Sequence, residues 1–200
     1  MDKIKFIYFD IGGVMNDWKN AFKTATKKFS IPLDQFQVLW NEVDDDITRG
    51  RITSQEMWKK AVKRFGLKNA DDYNFVESWM GDYKPRKEVH ELAKRLSTKY
   101  KIGLISNLYE GMYPRLIELG IVANLDYSAI VLSNETGLRK PEKEIYKLAT
   151  KKAAIKPEEI LLVDDRQDFV EGAKKFGWQG FWFNDKDVKG SVRKLEIMLD

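Results

Sequence analysis

The 200-residue sequence predicts an α/β protein: a doubly wound parallel sheet that carries a small all-helical insertion. Three observations predict it. Five short apolar runs, at 4–9, 102–105, 129–132, 160–163 and 181–183, are rich in Ile, Val, Leu and Phe. Helix-length amphipathic stretches separate the later runs, as crossovers between parallel strands require. Between the first and second runs the rhythm changes, and helical patterns follow one another with no strand-like run. The division that follows is a core of residues 1–15 and 84–200 with a helical cap at 16–83.

The first run ends on Asp10 and the glycine pair Gly12-Gly13. In the insertion, 17–29 and 33–46 read as amphipathic helices, the second entered through Pro32. Thr53-x-x-Glu56 is a capping box opening a helix that ends near Gly66, and 71–80 is a shorter fourth helix. The insertion holds Trp18, Trp40, Trp58 and Trp79, four of the six tryptophans, which read as its own small core because aromatics supply much burial in a small unit. Crossover helices are expected at 85–98, 110–120, 141–154 and 168–177. In the first of these Val89, Leu92, Ala93 and Leu96 form the apolar stripe, so His90 is expected to point to solvent. It is the only histidine, and chemistry here must run without a histidine base or a histidine-bound zinc.

Composition narrows the class further. Hydrophobic residues at 43% and charged residues at 33% match ordinary globular chains and argue against disorder. The 35 basic and 31 acidic residues give a net charge of +4 and are dispersed, which argues against a nucleic-acid footprint. With no cysteine there is no disulfide framework and no thiolate metal site. The first apolar run is too short for a signal peptide and no run approaches a membrane span. The expectation is a soluble, cytoplasmic protein, monomer or homodimer, with neither membrane nor nucleic-acid partners.

In open α/β sheets ligands gather outside the carboxyl ends of the strands. Asp10, followed by glycines that let backbone N–H groups approach a ligand, suits a nucleophile and metal ligand beside an anion cradle. Ser106-Asn107 after the second run offers a hydroxyl and an amide. Lys140, beyond the third run, would stand at the entrance of a helix whose first residue is Pro141, a sensible place for a cation that steadies a phosphate. Asp164-Asp165 after the fourth run is a carboxylate pair suited to magnesium, which prefers hard oxygen ligands. Each motif alone has an ordinary explanation as a cap or turn; four in succession at strand ends are a constellation chance rarely assembles.

These residues resemble the haloacid dehalogenase superfamily, in the subgroup with a helical cap inserted after the first strand. The resemblance rests on FDIGGV, LISN, TGLRKPEKEIY and LLVDD followed by VEGAKKFGW, with ITRGRITSQEMW similar to the cap pattern. It implies a Rossmann-like core and a magnesium-dependent hydrolase of a small phosphorylated metabolite. By the resemblance Asp10 attacks phosphorus and ligates magnesium, and Ser106 and Lys140 hold the phosphoryl group. Asp165 would be a direct metal ligand and Asp164 a second or water-mediated one. The backbone at Ile11 and Gly12, with Asn107, would bind phosphate, and the Gly12 region would give the metal a carbonyl.

The sequence also departs from the pattern. Most phosphatases of the superfamily have an acid/base aspartate two residues after the nucleophile, where this chain has Gly12. General acid–base help is worth roughly 10²–10⁴ in rate, so turnover is expected to be slower. Phe169 stands where relatives often have Asn or Asp, and Asp168 before it is expected to open a helix. Asp17 is expected to cap the first insertion helix rather than replace the missing acid. Asp44-Asp45-Asp46 is expected to be a solvated helix end, with Arg49 and Arg51 on an exposed loop that relatives turn toward the site. Two other readings stay open: a phosphate- or partner-binding protein with little turnover, and a 2-haloacid dehalogenase, which the metal-type pair Asp164-Asp165 disfavours.

Overall fold

A computed structural model describes residues 4–199. Phe6–Phe9 (β1) is buried along its whole length, because it lies at the centre of a five-stranded sheet with cover on both faces. Its neighbours are Lys101–Ser106 (β4) and Ile160–Asp164 (β6), with Ala129–Leu132 (β5) and Gln179–Trp182 (β7) at the edges. All four pairings are parallel, and Phe9 is level with Leu104 and Val163. That register brings Asp10, Ser106 and Asp164 out at one end of the sheet.

Alternation along β1 sends Ile7 and Phe9 into one core and Phe6 and Tyr8 into another. The first core is shared with Val89 and Leu92 of Lys87–Leu96 (α5) and Leu195 of Val188–Leu199 (α10). The second is closed by Ile145 and Tyr146 of Lys143–Ala153 (α8) and Ala173 of Gln167–Lys175 (α9). The sheet is therefore doubly wound, as expected. Two short helices complete this part: Met112–Glu118 (α6) and Ser133–Thr136 (α7).

The cap consists of Lys23–Lys28 (α1), Leu33–Thr48 (α2), Ser54–Phe65 (α3) and Phe75–Gly81 (α4). Phe22, Phe36, Trp40, Trp58, Phe75 and Trp79 stack in its centre, with Phe22 and Trp40 ring centroids 4.6 Å apart and Trp58 and Phe75 at 5.2 Å. The chain leaves the sheet through Asn16–Asp17 (β2) and returns through Lys84–Pro85 (β3), which pair antiparallel.

The capping box at Thr53 and Glu56 forms in both directions, and the helix ends at a left-handed Gly66. Other sequence expectations are corrected. The helix expected at 17–29 shrinks to α1, since residues 18–22 turn and Phe22 is left-handed with φ 71°. Asp17 caps no helix; it pairs in β2 and accepts the Lys19 N–H at 2.9 Å. The fourth cap helix starts later, where Asn74 accepts from the Glu77 N–H at 3.1 Å. The helix after Lys140 begins at Lys143, because Glu142 is extended as its N-cap residue. Trp18 stands apart from the tryptophan core, 47% exposed. His90 is half-buried, its Nε2 3.0 Å from the Met15 carbonyl, and burial lowers its pKa. No helix among the described residues is long and apolar enough to cross a membrane.

Candidate active site

Three carboxylates converge where β1 and β6 end. Asp10, Asp164 and Asp165 can each turn one oxygen to a common point, those oxygens lying within 4.8 Å of one another. Like charges packed so closely need a cation, and Lys140 provides part of it. Its fully buried ammonium lies 2.5 Å from Asp164 and 2.9 Å from Asp10. Burial works against the charge on Lys140, yet Asp10 and Asp164 outweigh it and raise the pKa.

Asp164 and Asp165 have different surroundings. Asp164 is spent on protein contacts, accepting from Lys140 and from the Arg166 N–H at 2.9 Å. Burial and the Asp10 charge push its carboxyl up to about 7 against the pull of Lys140. Asp165 is likewise pushed up to about 7, by burial first and then by Asp10. Lys140 cannot neutralise three carboxylates. The oxygen-rich donor set, short of positive charge, therefore fits a hard divalent cation such as magnesium. The loop geometry fits it too: Gly13 has φ +79°, and a Cβ there would lie 2.1 Å from Asp165 Oδ2. Only glycine lets the backbone approach Asp165 so closely.

The loop 11–16 is held from below by α5 and the residue before it. Arg86, buried at 7% exposure, donates from its side chain to the Gly13 carbonyl and from its backbone to Met15 at 2.9 Å. Sequence reading missed Arg86, which belongs to no motif and follows an ordinary Lys-Pro pair. Trp182 donates to the Asp165 carbonyl at 2.8 Å and fixes the β6 end from the sheet edge. Asn107 has both ends of its amide committed to the Lys140 backbone, at 2.9 and 3.0 Å, so its side chain anchors the lysine loop. Ser106 is buried at the end of β4.

Above these groups a cavity of about 290 Å³ opens between sheet and cap. Of the sequence-predicted residues Asp10, Ile11, Gly12, Ser106, Asn107 and Asp165 line it, while Lys140 and Asp164 lie behind its wall. Phe169 also lines it, 5.0 Å from the Lys140 ammonium, and Asp168 sits in the first turn of α9 paired with Arg166 at 2.7 Å. A larger, shallow groove of about 1110 Å³ lies around Lys5, Lys99 and Lys101, at the opposite ends of the strands and away from the carboxylates.

The acidic run on α2 is a solvated helix end as expected, with Asp45 and Asp46 about half exposed, but it also acts as a latch onto the core. Asp44 and Asp45 pair with Arg139 at 2.8 and 3.2 Å, and Asp45 with Arg49 at 2.9 Å. Arg49 crosses to the core, donating to the Gly137 carbonyl at 2.8 Å and pairing with Glu142. Arg51 stays on the surface with Asp45 and Asp46. Both arginines are thus occupied by protein carboxylates.

A family model of haloacid dehalogenase-like hydrolases matches residues 4–177. Among curated proteins, the chain is 23% identical over 188 residues to drimenol cyclase drtB of Aspergillus calidoustus, covering 92% of this chain but 35% of that protein, about a third of its length. It is 22% identical to sesquiterpene phosphatase astK of Aspergillus oryzae, covering 90% of each. It is 26% identical to a glyceraldehyde 3-phosphate phosphatase of Pyrococcus furiosus, covering 92% of this chain and 82% of the relative. Among solved structures, the HAD family enzyme bt-2542 of Bacteroides thetaiotaomicron superimposes with a TM-score of 0.76 at 22% identity, covering 90% and 94%. A variant of that enzyme is known in complex with magnesium and inorganic phosphate, and superimposes at 0.74, 22% identical, covering 90% and 93%. A dehalogenase with an intermediate complex gives 0.75 at 16% identity, covering 100% and 98%. At these identities the structural likeness is one of fold.

Proposed function

The chain belongs to the haloacid dehalogenase-like hydrolases, and from that premise we propose that it is a magnesium-dependent phosphatase of a small phosphorylated metabolite, working through an aspartyl-phosphate at Asp10. The observation that carries the reading is the meeting of Asp10, Asp164 and Asp165 over the buried Lys140 ammonium. Phosphatase-named relatives support the substrate class. Residues 16–83 act as a cap over a core of 1–15 and 84–200, with the β2–β3 pairing at both crossings.

In this reading an Asp10 oxygen attacks phosphorus, the bond from phosphorus to the alcohol oxygen breaks, and the alkoxide takes its proton from solvent. Water then attacks the phosphorus of the aspartyl-phosphate, freeing phosphate and Asp10. Lys140 holds Asp10 in line, and its charge with the Ser106 hydroxyl and the N–H groups near Ile11 and Gly12 steadies the phosphoryl oxygens. Asp165 and Asp10 would hold a magnesium ion, with Asp164 as a further or water-mediated ligand and the Gly12 carbonyl beside them. Bound magnesium supplies the charge that lets the nucleophile and the anionic substrate meet.

The test is phosphate release from p-nitrophenyl phosphate with and without magnesium, beside Asp10→Asn. Release that needs magnesium and disappears in the variant supports the proposal; equal release from the variant refutes it. A binding protein with little turnover is the second reading, favoured by Gly12. It gains if phosphate stabilises the folded protein while nothing is hydrolysed. Halide release from a 2-haloacid without magnesium would instead make the chain a dehalogenase.

A further inference from the structure

The walls of the cavity say what kind of alcohol the phosphate is attached to, an inference that rests on the phosphatase reading for its chemistry but not for its shape. Trp18, Phe22, Trp40, Trp79, Tyr83 and Tyr109 contribute six aromatic rings to the lining. Trp40 and Trp79 meet edge to face at 4.6 Å, and Tyr109 packs on both, at 5.1 and 4.6 Å. Trp18 closes the side nearest the carboxylates. A Cβ placed on Gly12 would sit 3.6 Å from its Cδ1 and Nε1, so the indole lies directly over the glycine.

Positive charge that could receive a second anionic group is already consumed. Arg139 is held by Asp44 and Asp45, and Arg166 by Asp168 while lying 4.1 Å over the Phe169 ring. Lys140 faces Asp10 and Asp164. Sugar hydroxyls turned toward the faces of these rings would lose water without gaining partners there. Neutral polar side chains also reach the lining, Gln37, Asn41 and Thr48 among them, and Asn16 stands out. Asn16 is fully buried on the lining, and neither its amide oxygen nor its nitrogen has a hydrogen-bond partner among the described residues. The cavity of about 290 Å³ is at the small end for ligand sites, with room for one or two rings beside a phosphate.

We propose that the site takes the monophosphate of a compact, uncharged, largely apolar alcohol, best an aromatic one, with Trp18 as a specificity-determining wall and Asn16 pairing with a neutral polar group on it. The same walls favour such an alcohol over sugar phosphates, bisphosphates and phosphorylated carboxylic acids.

Binding and turnover test this separately. Calorimetry on the magnesium-loaded protein, using the non-hydrolysable phenylphosphonate and methylphosphonate, is expected to show the phenyl compound binding at least tenfold tighter. Trp18→Ala, at an exposed position that leaves the cap core intact, is expected to cut that ratio at least threefold. Equal binding of the two phosphonates, or an unchanged ratio in Trp18→Ala, overturns the inference whatever the turnover. In the kinetic arm, kcat/KM for phenyl phosphate is expected to exceed that for glucose 6-phosphate and fructose 1,6-bisphosphate at least tenfold. Turnover that prefers either sugar overturns this inference and leaves the phosphatase reading standing. Phenyl-selective binding with no hydrolysis of any ester supports the pocket assignment and removes the phosphatase reading.

Discussion

Lys140 and Asp164 form a fully buried ion pair at 2.5 Å, and the same ammonium reaches Asp10 at 2.9 Å. Removing one partner of a buried pair leaves the other charge uncompensated, typically at a cost of about 3–5 kcal/mol. Lys140→Met should lose stability of that order in urea unfolding and lower phosphate release by about 10²-fold or more. Lys140→Arg should restore neither, because the guanidinium does not fit where an ammonium is enclosed by two carboxylates and the Phe169 ring. Wild-type-like stability in Lys140→Met would show that the pair contributes nothing.

The carboxylates give the metal-free protein an unusual pH dependence. Asp164 and Asp165 are pushed up to about 7 in the fold, above the usual carboxylate range, so the folded state holds their protons more tightly than the unfolded chain. Their contribution to stability is complete below pH about 4 and is lost as pH rises through about 7. The metal-free protein should therefore melt at lower temperature at pH 8 than at pH 5.5, where the surface carboxylates are already ionised. Asp165→Asn should flatten that slope. Magnesium should raise Tm more at pH 8 than at pH 5.5, because it binds the deprotonated carboxylates of the native state. Differential scanning fluorimetry across pH, with and without magnesium, checks all three; a slope unchanged in Asp165→Asn would sink the assignment.

Gly13→Ala should separate backbone strain from metal binding. The substitution puts a methyl at φ +79° and 2.1 Å from Asp165 Oδ2, so Asp165 must move. The expected loss is more than about 1 kcal/mol in stability, with magnesium affinity weakened roughly 10–100-fold, the scale of a disturbed metal environment. Gly111 serves as the comparison, with φ +75° but nothing within 4 Å of its would-be Cβ. Gly111→Ala should lose stability by strain alone and keep the full magnesium-dependent Tm shift.

These tests fall on residues that differ in how legible they were. Asp10, Ser106 and Asp164 are readable because a short apolar run ending in a polar residue marks a strand end, and β-sheet register then brings such ends together. Pro141 points to a helix start at Lys140; instead α7 and an anchored loop carry the lysine, held by Asn107, a contact across 33 residues that no local pattern encodes. Arg86 acts through backbone carbonyls, whose direction is a product of the fold. Trp18 shared the composition signal of its three buried neighbours, yet the left-handed turn at Phe22 throws it out of the cap core and over Gly12. The acidic run was readable as charge but not as a latch, because Arg139 lies about 95 positions away in sequence.

The latch itself is testable at Arg49. Its guanidinium meets Asp45 in the cap and Glu142 and the Gly137 carbonyl in the core, and it is only 15% exposed. Arg49→Ala should cost about 1–2 kcal/mol, since charged hydrogen bonds are lost and a partly buried carbonyl is left without its donor. Residues 137–142 carry Lys140, so KM should rise and kcat fall together as the cap loosens. Arg51→Ala, which removes only surface pairs with Asp45 and Asp46, should stay within about 0.5 kcal/mol of the parent. Equal effects of the two substitutions would mean that Arg49 does not tie cap to core.

Gly12→Asp addresses the missing acid/base group. A Cβ at Gly12 would meet the Trp18 indole at 3.6 Å, an ordinary contact, so the substitution should fold. Its carboxyl, however, would extend into the space the indole fills. Gly12→Asp alone is therefore expected to change turnover little. Gly12→Asp combined with Trp18→Ala opens that space, and turnover of a poor leaving group such as an alkyl phosphate should rise, by up to about 10²-fold where acid catalysis was limiting. An activated ester such as p-nitrophenyl phosphate needs no proton at its leaving oxygen, and its rate should respond much less. The double variant thus changes the dependence of rate on leaving-group pKa, flattening it if position 12 becomes an acid. An unaltered dependence with an intact fold would show that the space above Gly12 is not where the leaving oxygen departs.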